Sequence, residues 1–423
     1  MKYISNAFYR NGTVEKLSIG SGATLIGANA FYYCPRISTL RFTTDSIVEK
    51  IDNYAFQGCR VLSEVSLPAS VKTIGQYAFC GCDSLVKFEI PDNSSLVTIA
   101  GNAFRDCSSL ASIAIPSSLK TVGEYAFYGC TSLKKVSTYA SNLETIGTYA
   151  FFGCESLTEI RIPATVTSIG NHAFRRCALL SQFTVDYGNY TYSSIDGNLY
   201  NYNGTTLIQY ATGKTDELFT VPDGVTKIGD HAFYYCLGIK SITIPEGVTS
   251  IDAYAFAFCS GLESISIPSS VVFLNNSVFR FCTGLKSITV AASSNSFKTI
   301  DGSLYTKDGA KLIQYTTGSA NKTFILPDTV KTISSYALCG SYNLESVVLP
   351  KSLKTIEDSA FYNCSALKTV YFMGSSAVWS TVSVSANGNV NIGKLPRYYY
   401  SKTKPAGAGN FWHYDKDGNI AVW

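Results

Sequence analysis

The residues with the most evident chemical potential in this 423-residue chain are its 13 cysteines. Such a count can indicate disulfides in an oxidising compartment, or zinc where the cysteines come in pairs. Eleven of them, however, stand four residues after an Ala that recurs mostly every 23 to 25 residues. Residues that share one position of a stacked repeat line up along the core, and their parallel side chains are poorly oriented for forming disulfides. We therefore predict free, buried thiols at Cys34, Cys59, Cys82, Cys107, Cys130, Cys154, Cys177, Cys236, Cys259, Cys282 and Cys364.

The other two cysteines, Cys80 and Cys339, stand two residues after the same Ala. Several other units carry Arg or Tyr at this position, which predicts that it faces solvent and that both thiols are exposed. Cys80-Gly81-Cys82 lacks the second pair of ligands that a zinc site needs. We interpret both cysteines as tolerated substitutions.

The three histidines offer little acid–base chemistry. His172 and His231 precede the repeated Ala, where most other units have Tyr, and we interpret them as members of a surface aromatic ladder. His413 lies in the C-terminal tail between Trp412 and Tyr414. The chain has no nucleophile elbow, zinc-protease helix, phosphate loop or calcium loop. The sequence predicts a non-enzymatic protein without a cofactor or metal.

Apart from His413, these positions belong to a repeated unit with the pattern I-x-x-x-A-F-x-x-C-x-x-L-x-x-I-x-I-P. The I-x-I alternation predicts a strand with one buried face, and the spacing of Phe and Cys predicts a short helical or 3-10 turn. Neither piece buries its apolar face alone, so the units must stack about 4.8 Å apart into a parallel, in-register sheet. The repeated Ala, once replaced by Val, occurs at Ala7, Ala30, Ala55, Ala78, Ala103, Ala126, Ala150, Ala173, Ala232, Ala255, Val278, Ala337 and Ala360.

Two steps of 59 residues interrupt the repeat, and each contains a related insert, at about residues 186–218 and 291–323. In each insert two apolar runs flank Asn203-Gly204 or Asp308-Gly309, which are residues typical of a tight type I′ hairpin turn. We interpret each insert as a coil whose turn is replaced by a protruding β-hairpin. The units and inserts together predict about fifteen coils and a solenoid roughly 70 Å long.

The repeat pattern ends at residue 372, which divides the chain into a solenoid (1–372) and an aromatic-rich tail (373–423). The tail holds Trp379, Trp412 and Trp423, and we interpret it as a cap over the apolar edge of the last coil. A separate aromatic binding module is the alternative.

The composition limits the partners. The formal net charge is +4 and no Lys or Arg cluster stands out, which argues against nucleic acid. No apolar run reaches the ~20 residues of a membrane-spanning helix, and the N-terminus has no signal peptide. Because the chain opens inside a repeat, we expect that upstream sequence was removed, although a cytoplasmic protein would look the same.

The repeat resembles the BspA-like, Treponema-type leucine-rich repeats, whose pattern is close to L-x-x-I-x-I-P-x-x-V-x-x-I-G-x-x-A-F-x-x-C, over about 370 residues. The resemblance implies a right-handed, curved leucine-rich-repeat solenoid with a parallel sheet on its concave face. It also implies a cell-surface or secreted protein, in some members an adhesin for host matrix proteins. The Gly of the pattern is replaced in several units, for example by Asp52 and Asp252, so a positive φ is not required there.

A ligand would meet the outward-facing strand residues, which are charged in the N-terminal half and mostly Ser or Thr in the C-terminal half. Mixed charges could simply keep a sheet face soluble. The functional alternative is a surface that selects a protein ligand by its charge pattern. On that hypothesis the ligand-binding residues are Arg41, Lys87, Glu89, Lys135, Glu159 and Arg161.

A rival site is the Tyr-rich turn edge with the two hairpins, where rings could anchor a protein or stack on sugars. The sequence favours a surface adhesin-like protein that binds a host or extracellular protein. A carbohydrate-binding module, suggested by the 29 tyrosines, and an intracellular interaction scaffold, suggested by the reduced cysteines, are the alternatives.

Overall fold

Short β-strands make up most of the regular structure in the computed structural model, which describes residues 3–138 and 142–423. The elements up to the first insert are β1 (Tyr3–Ile4), a 3-10 helix (Asn6–Phe8), β2 (Lys16–Ile19), β3 (Leu25–Ile26), β4 (Thr39–Phe42), β5 (Lys50–Ile51), β6 (Glu64–Ser66), β7 (Thr73–Ile74), β8 (Lys87–Glu89), β9 (Thr98–Ile99), β10 (Ser112–Ala114), β11 (Thr121–Val122), β12 (Lys135–Ser137), β13 (Thr145–Ile146), β14 (Glu159–Ile162), β15 (Ser168–Ile169) and β16 (Gln182–Val185).

The later elements follow the same order. The first insert and the repeats after it contain β17 (Tyr192–Ile195), β18 (Asn198–Asn201), β19 (Thr206–Gln209), β20 (Leu218–Thr220), β21 (Lys227–Ile228), β22 (Ser241–Thr243), β23 (Ser250–Ile251), β24 (Ser264–Ile267), β25 (Phe273–Leu274) and β26 (Ser287–Val290). The second insert and the remaining repeats contain β27 (Phe297–Ile300), β28 (Ser303–Thr306), β29 (Lys311–Gln314), β30 (Thr323–Ile325), β31 (Thr332–Ile333), β32 (Ser346–Leu349), β33 (Thr355–Ile356) and β34 (Thr369–Phe372). The tail contains α1 (Ser376–Trp379), β35 (Ser383–Val384), α2 (Val390–Lys394), β36 (Arg397–Tyr400), β37 (Phe411–Tyr414) and β38 (Ile420–Val422).

The chain divides into two units. The first unit is Met1–Gly204 with Gln209–Lys214, and the second is Thr205–Ile208 with Thr215–Trp423. Within each unit the backbone coils repeatedly through one strand of a main sheet, a corner, a shorter strand of a second sheet and a turn, so each unit is a β-solenoid. Among the described residues, no helix has the length and apolar character of a membrane span.

The predicted I-x-I strands form the main sheet of each unit. In the first unit β2, β4, β6, β8, β10 and β12 lie side by side and parallel, and β14 pairs with β16 in the same way. Equivalent repeat positions are in register, so that Val65 pairs with Phe88. Val65 is buried between the exposed Glu64 and Ser66, as the alternation predicts. Among the described residues from 16 to 372 there are fifteen such strands, which confirms the predicted parallel stack.

A second sheet, which the repeat pattern did not predict, runs along the other side of the coil. In the first unit it joins β1, β3, β5, β7, β9, β11, β13 and β15 through two-residue strands, typically Thr-Ile. The paired Ile74 and Ile99 are fully buried. At the corner that follows, neighbouring coils approach closely, and a Cβ on Gly147 would lie only 2.5 Å from the backbone N of Glu124. The Gly of the repeat therefore serves close packing and not a positive φ.

In the described part of the chain, the predicted helical or 3-10 turn forms a 3-10 helix only at Asn6–Phe8. In later units it consists of successive turns closed by hydrogen bonds three residues apart. Ala78 N–H donates to the Gly75 carbonyl (3.3 Å) and Cys82 N–H donates to the Phe79 carbonyl (3.2 Å). These turns leave the backbone free to bend twice within one short segment.

In most units the bends place the residue before the repeated Ala in the left-handed region, with φ between 54° and 62°, even where it is Tyr or His. That conformation costs roughly 1–2 kcal/mol for a residue with a Cβ. The side chains at this position stack from coil to coil, as Tyr54 does on Tyr77 (5.1 Å between ring centroids) and His231 on Tyr254 (4.7 Å). The predicted aromatic ladder is confirmed.

The core of the turns is a pair of ladders built from Phe and Cys. In the first unit the rings from Phe8 to Phe174 stack at 5.1–5.5 Å. Most of the repeated cysteines donate an S–H hydrogen bond to the Phe carbonyl of the preceding coil, as Cys107 Sγ does to Phe79 O (3.1 Å). That carbonyl also accepts the N–H of Cys82 (3.2 Å), so both of its lone pairs are used. All thirteen thiols are free, as predicted.

The prediction that Cys80 and Cys339 are exposed is wrong. Cys80 is 9% exposed and Cys339 is 1% exposed. The equivalent Arg105 is half-buried because its long side chain extends over the turn, where its guanidinium lies 4.9 Å from the Tyr128 ring centroid. A short Cys side chain at the same position cannot reach solvent. Burial accordingly raises the pKa of the Cys80 thiol to about 11 and that of Cys339 to about 12.

Each insert contains an antiparallel hairpin with a two-residue turn, which lies before the predicted turn. β17 and β18 are joined by Asp196-Gly197, and β27 and β28 by Asp301-Gly302, with positive φ at both residues of each pair. The predicted Asp308-Gly309 lies in the four-residue connection of a further hairpin, because β28 and β29 are also antiparallel. A hairpin at this point is therefore confirmed, but its turn is longer than the predicted type I′ turn. Asn203-Gly204 lies in the equivalent connection between the neighbouring strands β18 and β19. Both kinds of dipeptide satisfy a type I′ turn, so turn chemistry alone does not distinguish them.

The inserts contribute to the core as well as to the surface. Tyr200 of β18 and Tyr305 of β28 are fully buried, whereas Tyr202, beyond the end of β18, is 50% exposed. In the second insert β29 pairs with β28 on one side and, in parallel, with β31 on the other. The second insert thereby adds a strand to the second sheet of its unit.

The tail extends both sheets of the second unit by a further coil. β35 pairs in parallel with β33, and β36 pairs in parallel with β34. β37 then adds to β36, and the antiparallel β38 ends the sheet. Trp412 is fully buried, and its indole N–H donates to the Phe372 carbonyl (3.2 Å).

We expect Phe256→Ala to lower the free energy of unfolding by about 3–5 kcal/mol. The Phe256 ring is fully buried between Phe233 (5.1 Å) and Phe279 (5.5 Å). Because each coil packs only on its neighbours, hydrogen exchange should show loss of protection in the adjoining coils first. The control Phe273→Ala removes a ring that is 52% exposed and should change stability by less than about 1 kcal/mol. A uniform loss of protection throughout the chain would contradict this account.

The thiols should be inert in the folded protein. Burial raises the pKa of Cys59 and of Cys177 to about 12, so at about pH 8 only about one such thiol in 10⁴ is ionised. We expect a disulfide reagent to label almost none of the thirteen cysteines in the native state and all of them in guanidinium. Titration of far fewer than thirteen thiols after denaturation would disprove the prediction.

Candidate functional site

The outward residues of the main sheet in the first unit form two rows that cross the strands. The first row runs through the first outward position of each strand, where Glu64 pairs with Lys87 and Ser112 pairs with Lys135. The second row runs two residues later, where Ser66 pairs with Glu89. The six predicted binding residues all lie in these two rows: Lys87, Lys135 and Glu159 in the first, and Arg41, Glu89 and Arg161 in the second.

Lys87 and Glu89 lie together on β8. Their side chains form an ion pair with 2.6 Å between Lys87 Nζ and Glu89 Oε1. The Ser66 hydroxyl of β6 donates a hydrogen bond to the same carboxylate. Lys87, followed by Ser66, holds the pKa of the Glu89 carboxyl below its usual range. Both charged residues line a depression of about 490 Å³ whose floor includes Phe88.

Lys135, Glu159 and Arg161 form a second group, on β12 and β14. They line a depression of about 360 Å³ together with Asp186 and Tyr187, which follow β16. Arg161 Nε donates to Asp186 Oδ1 at 2.5 Å, and both side chains are partly shielded from solvent. Lys135 and Glu159 are exposed and form no ion pair within the described part of the chain.

Arg41 stands apart from both groups. It is exposed on β4, two strands before Glu89, which at the usual strand spacing is about 10 Å. The predicted residues therefore share one face, but the structure gathers them into two clusters, Lys87 with Glu89 and Lys135 with Glu159 and Arg161.

Asp186 and Tyr187 were not among the predicted site residues. They follow the last I-x-I strand before the first insert, where the repeat alignment ends and outward positions can no longer be assigned from the pattern. The run Asp186-Tyr187-Gly188-Asn189-Tyr190 was the available signal, since the second insert has Ala291-Ala292-Ser293-Ser294-Asn295 at the corresponding positions.

In the second unit the outward positions carry hydroxyl groups, as predicted. Ser241 pairs with Ser264 and Thr243 with Ser266. The Ser264 hydroxyl donates to the Ser241 hydroxyl at 3.3 Å. None of these four residues is charged, so the charged group of predicted residues has no counterpart at these positions of the second unit.

The rival site, the Tyr-rich turn edge, offers few open ring faces. Tyr149 stacks on Tyr125 (4.9 Å) and is tilted against His172 (4.9 Å). Both faces of an inner ring of this ladder are thus covered by its neighbours. The ladder consequently stabilises the turns and leaves mainly ring edges for a ligand.

The comparisons with known proteins agree with this architecture. A family model described as "BspA type Leucine rich repeat region (6 copies)" matches residues 2–98, 97–216, 210–321 and 314–395. No curated protein matches the chain.

Several solved structures are similar to the chain. A leucine-rich cell surface protein from Faecalibacterium prausnitzii A2-165 shares 29% identity over 89% of this chain and 92% of its own, with a TM-score of 0.65. The pneumococcal vaccine antigen PcpA shares 24% identity over 85% of this chain and 80% of its own, with a TM-score of 0.53. A leucine-rich repeat protein from Eubacterium ventriosum ATCC 27560 shares 22% identity over 96% and 94%, with a TM-score of 0.56. The last two similarities concern the fold alone.

The Lys87–Glu89 pair predicts a measurable titration. In an NMR pH titration the Glu89 carboxyl should titrate below the usual range of a glutamate, because Lys87 and Ser66 stabilise its charged form. Lys87→Ala should raise the Glu89 pKa, and Ser66→Ala should raise it by a smaller amount. About 1 M salt should also raise it, since the pair is exposed. A Glu89 pKa that Lys87→Ala leaves unchanged would show that the pair does not persist in solution.

Proposed function

The chain belongs to the BspA type leucine-rich-repeat family, and on that premise we propose that it is a non-enzymatic, adhesin-like protein of the cell surface. It would bind a host or extracellular protein through the charged face of the main sheet in the first unit. The family is generally non-enzymatic, and leucine-rich-repeat proteins typically bind proteins. The similarity to a leucine-rich cell surface protein supports the location.

The observation that carries this proposal is the contrast between the two main sheets. Their buried positions are alike, but charges occupy the outward positions only in the first unit. If solubility alone determined the outward residues, hydroxyl groups would be sufficient in the first unit, as they are in the second. The first unit's face carries Lys16, Arg41, Lys87, Lys135 and Arg161 against Glu64, Glu89 and Glu159.

Such a surface suits selection of a partner by charge. The pattern has an excess of basic groups, so a protein with a complementary, mainly acidic patch would fit it. Exposed charges of this kind contribute more to association rate and specificity than to raw affinity. Binding should therefore weaken as salt rises from about 50 to about 500 mM.

The combined change Arg41→Ser, Lys87→Ser and Lys135→Ser should abolish capture of the purified chain by at least one member of a panel of immobilised extracellular-matrix proteins. Capture is measured by surface plasmon resonance at low salt, and the melting temperature should stay unchanged because the three side chains are exposed. Arg161 is kept because it pairs with Asp186.

The matched control replaces Lys50, Lys72 and Lys120 with Ser, which removes the same charge from outside the main sheet. The control should bind like the unchanged protein. Equal loss in both variants would indicate a net-charge effect, and retained capture in the first variant would reject the charged face as the site.

A further inference from the structure

The first insert presents a group of tyrosines whose exposure the fold does not require. Tyr187 is fully exposed, Tyr190 is 80% exposed and Tyr202 is 50% exposed. The three line a depression of about 310 Å³ together with Tyr192. The rings of Tyr190 and Tyr202 lie 5.8 Å apart at an angle of 52°. Unlike the inner rings of the turn ladder, Tyr187 has both faces open to solvent.

The second insert shows that the same hairpin forms without these rings. β27 and β28 pair in the same register as β17 and β18. A side-chain oxygen caps the start of each hairpin: Asn189 accepts from Tyr192 N–H (2.8 Å), and Ser294 accepts from Phe297 N–H (3.3 Å). The two-residue turns also share their positive φ values.

The two equivalent hairpins differ in the aromatic residues that they expose. At the positions of Tyr187, Tyr190 and Tyr202, the second insert has three exposed residues without an aromatic ring, namely Ala292, Asn295 and Lys307. Tyr192, by contrast, corresponds to Phe297, and its hydroxyl accepts the backbone N–H of Ile169 (2.8 Å). Tyr192 is therefore structural, whereas the other three tyrosines are not needed for folding.

The polar surroundings of the rings differ in the same way. The tyrosine depression shares Asp186 and Tyr187 with the neighbouring one that holds Lys135, Glu159 and Arg161. These four ionisable side chains, two basic and two acidic, balance in charge. In the second unit Ser264, Ser266 and Ala291 stand at the positions of Glu159, Arg161 and Asp186.

From these contrasts we propose that the two adjoining depressions of the first unit form a binding site for a neutral oligosaccharide. Open aromatic faces suit the apolar C–H face of a pyranose ring, and the carboxylates and Lys135 suit its hydroxyl groups. The balanced charge favours a neutral glycan over a sulfated or sialylated one. The site shares Lys135 with the protein-binding face proposed above, but it also needs the rings of Tyr187, Tyr190 and Tyr202, on which protein binding does not depend.

The test converts the first insert to the residues of the second, with Tyr187→Ala, Tyr190→Asn and Tyr202→Lys in one chain. Labelled protein is applied to an array of neutral gluco-, galacto- and manno-oligosaccharides with sialylated and sulfated counterparts, and hits are quantified by titration. We expect the unchanged chain to bind a subset of the neutral glycans. The triple variant should bind them at least about tenfold more weakly, because the stacking faces are lost.

Three comparisons make the result decisive. Removing exposed tyrosines elsewhere, by Tyr33→Ala with Tyr342→Ala, should leave glycan binding unchanged. The triple variant should keep its melting temperature, since the second insert folds with the same residues, and should still be captured by a protein ligand of the charged face. Failure of the unchanged chain to bind any neutral glycan, preference for acidic glycans, or full binding by the triple variant would each overturn the proposal.

Discussion

Everything in this fold depends on coil-to-coil stacking at the spacing of a β-sheet. Each backbone N–H of the turn that points along the stack needs a carbonyl on the next coil, as Phe79 N–H has in Ala103 O (2.8 Å). A residue at one repeat position therefore lies against the same position of its neighbours. Only side chains that tolerate contact with copies of themselves can fill the inner positions. Phe stacks on Phe, Cys donates its S–H to a carbonyl of the preceding coil, and Ala leaves room for both.

The same constraint leaves the outward positions independent of one another. Val65 and Phe88 are both inside and must be apolar, but Glu64 and Lys87 beside them meet only solvent and the adjacent row. Exposed residues contribute little to stability, so their identity can follow a ligand without weakening the core. This separation explains how two units with equivalent interiors carry a charged face in one and a hydroxyl face in the other.

Features that repeat with a period could be predicted from the sequence, and those that depend on contact between coils could not. The strands and the six outward residues could be predicted from the alternation of buried and exposed residues. The free thiols could be predicted because the cysteines share one repeat position. The second sheet was missed because a two-residue strand has no period. The exposure of Cys80 was predicted wrongly. Arg105, at the equivalent position, reaches solvent because its side chain is long, and not because the position itself faces solvent. The contact between Arg161 and Asp186 could not be predicted because Asp186 lies at the border of the insert, where the repeat pattern ends.

The inserts are the parts of the chain where a surface can depart from the repeat. In a regular array every coil repeats the last one, so a binding surface is restricted to the outward positions of the repeat. An insert interrupts that regularity and brings residues from outside the pattern, such as Tyr187, next to residues within it, such as Arg161. The second insert makes the same interruption with small and polar residues, so the hairpin alone does not specify a site. The first insert differs from the second in its exposed tyrosines, and the repeat strands next to it differ from their counterparts in their charged residues. Drift at single exposed positions would not be expected to change both sets together, whereas a shared ligand would.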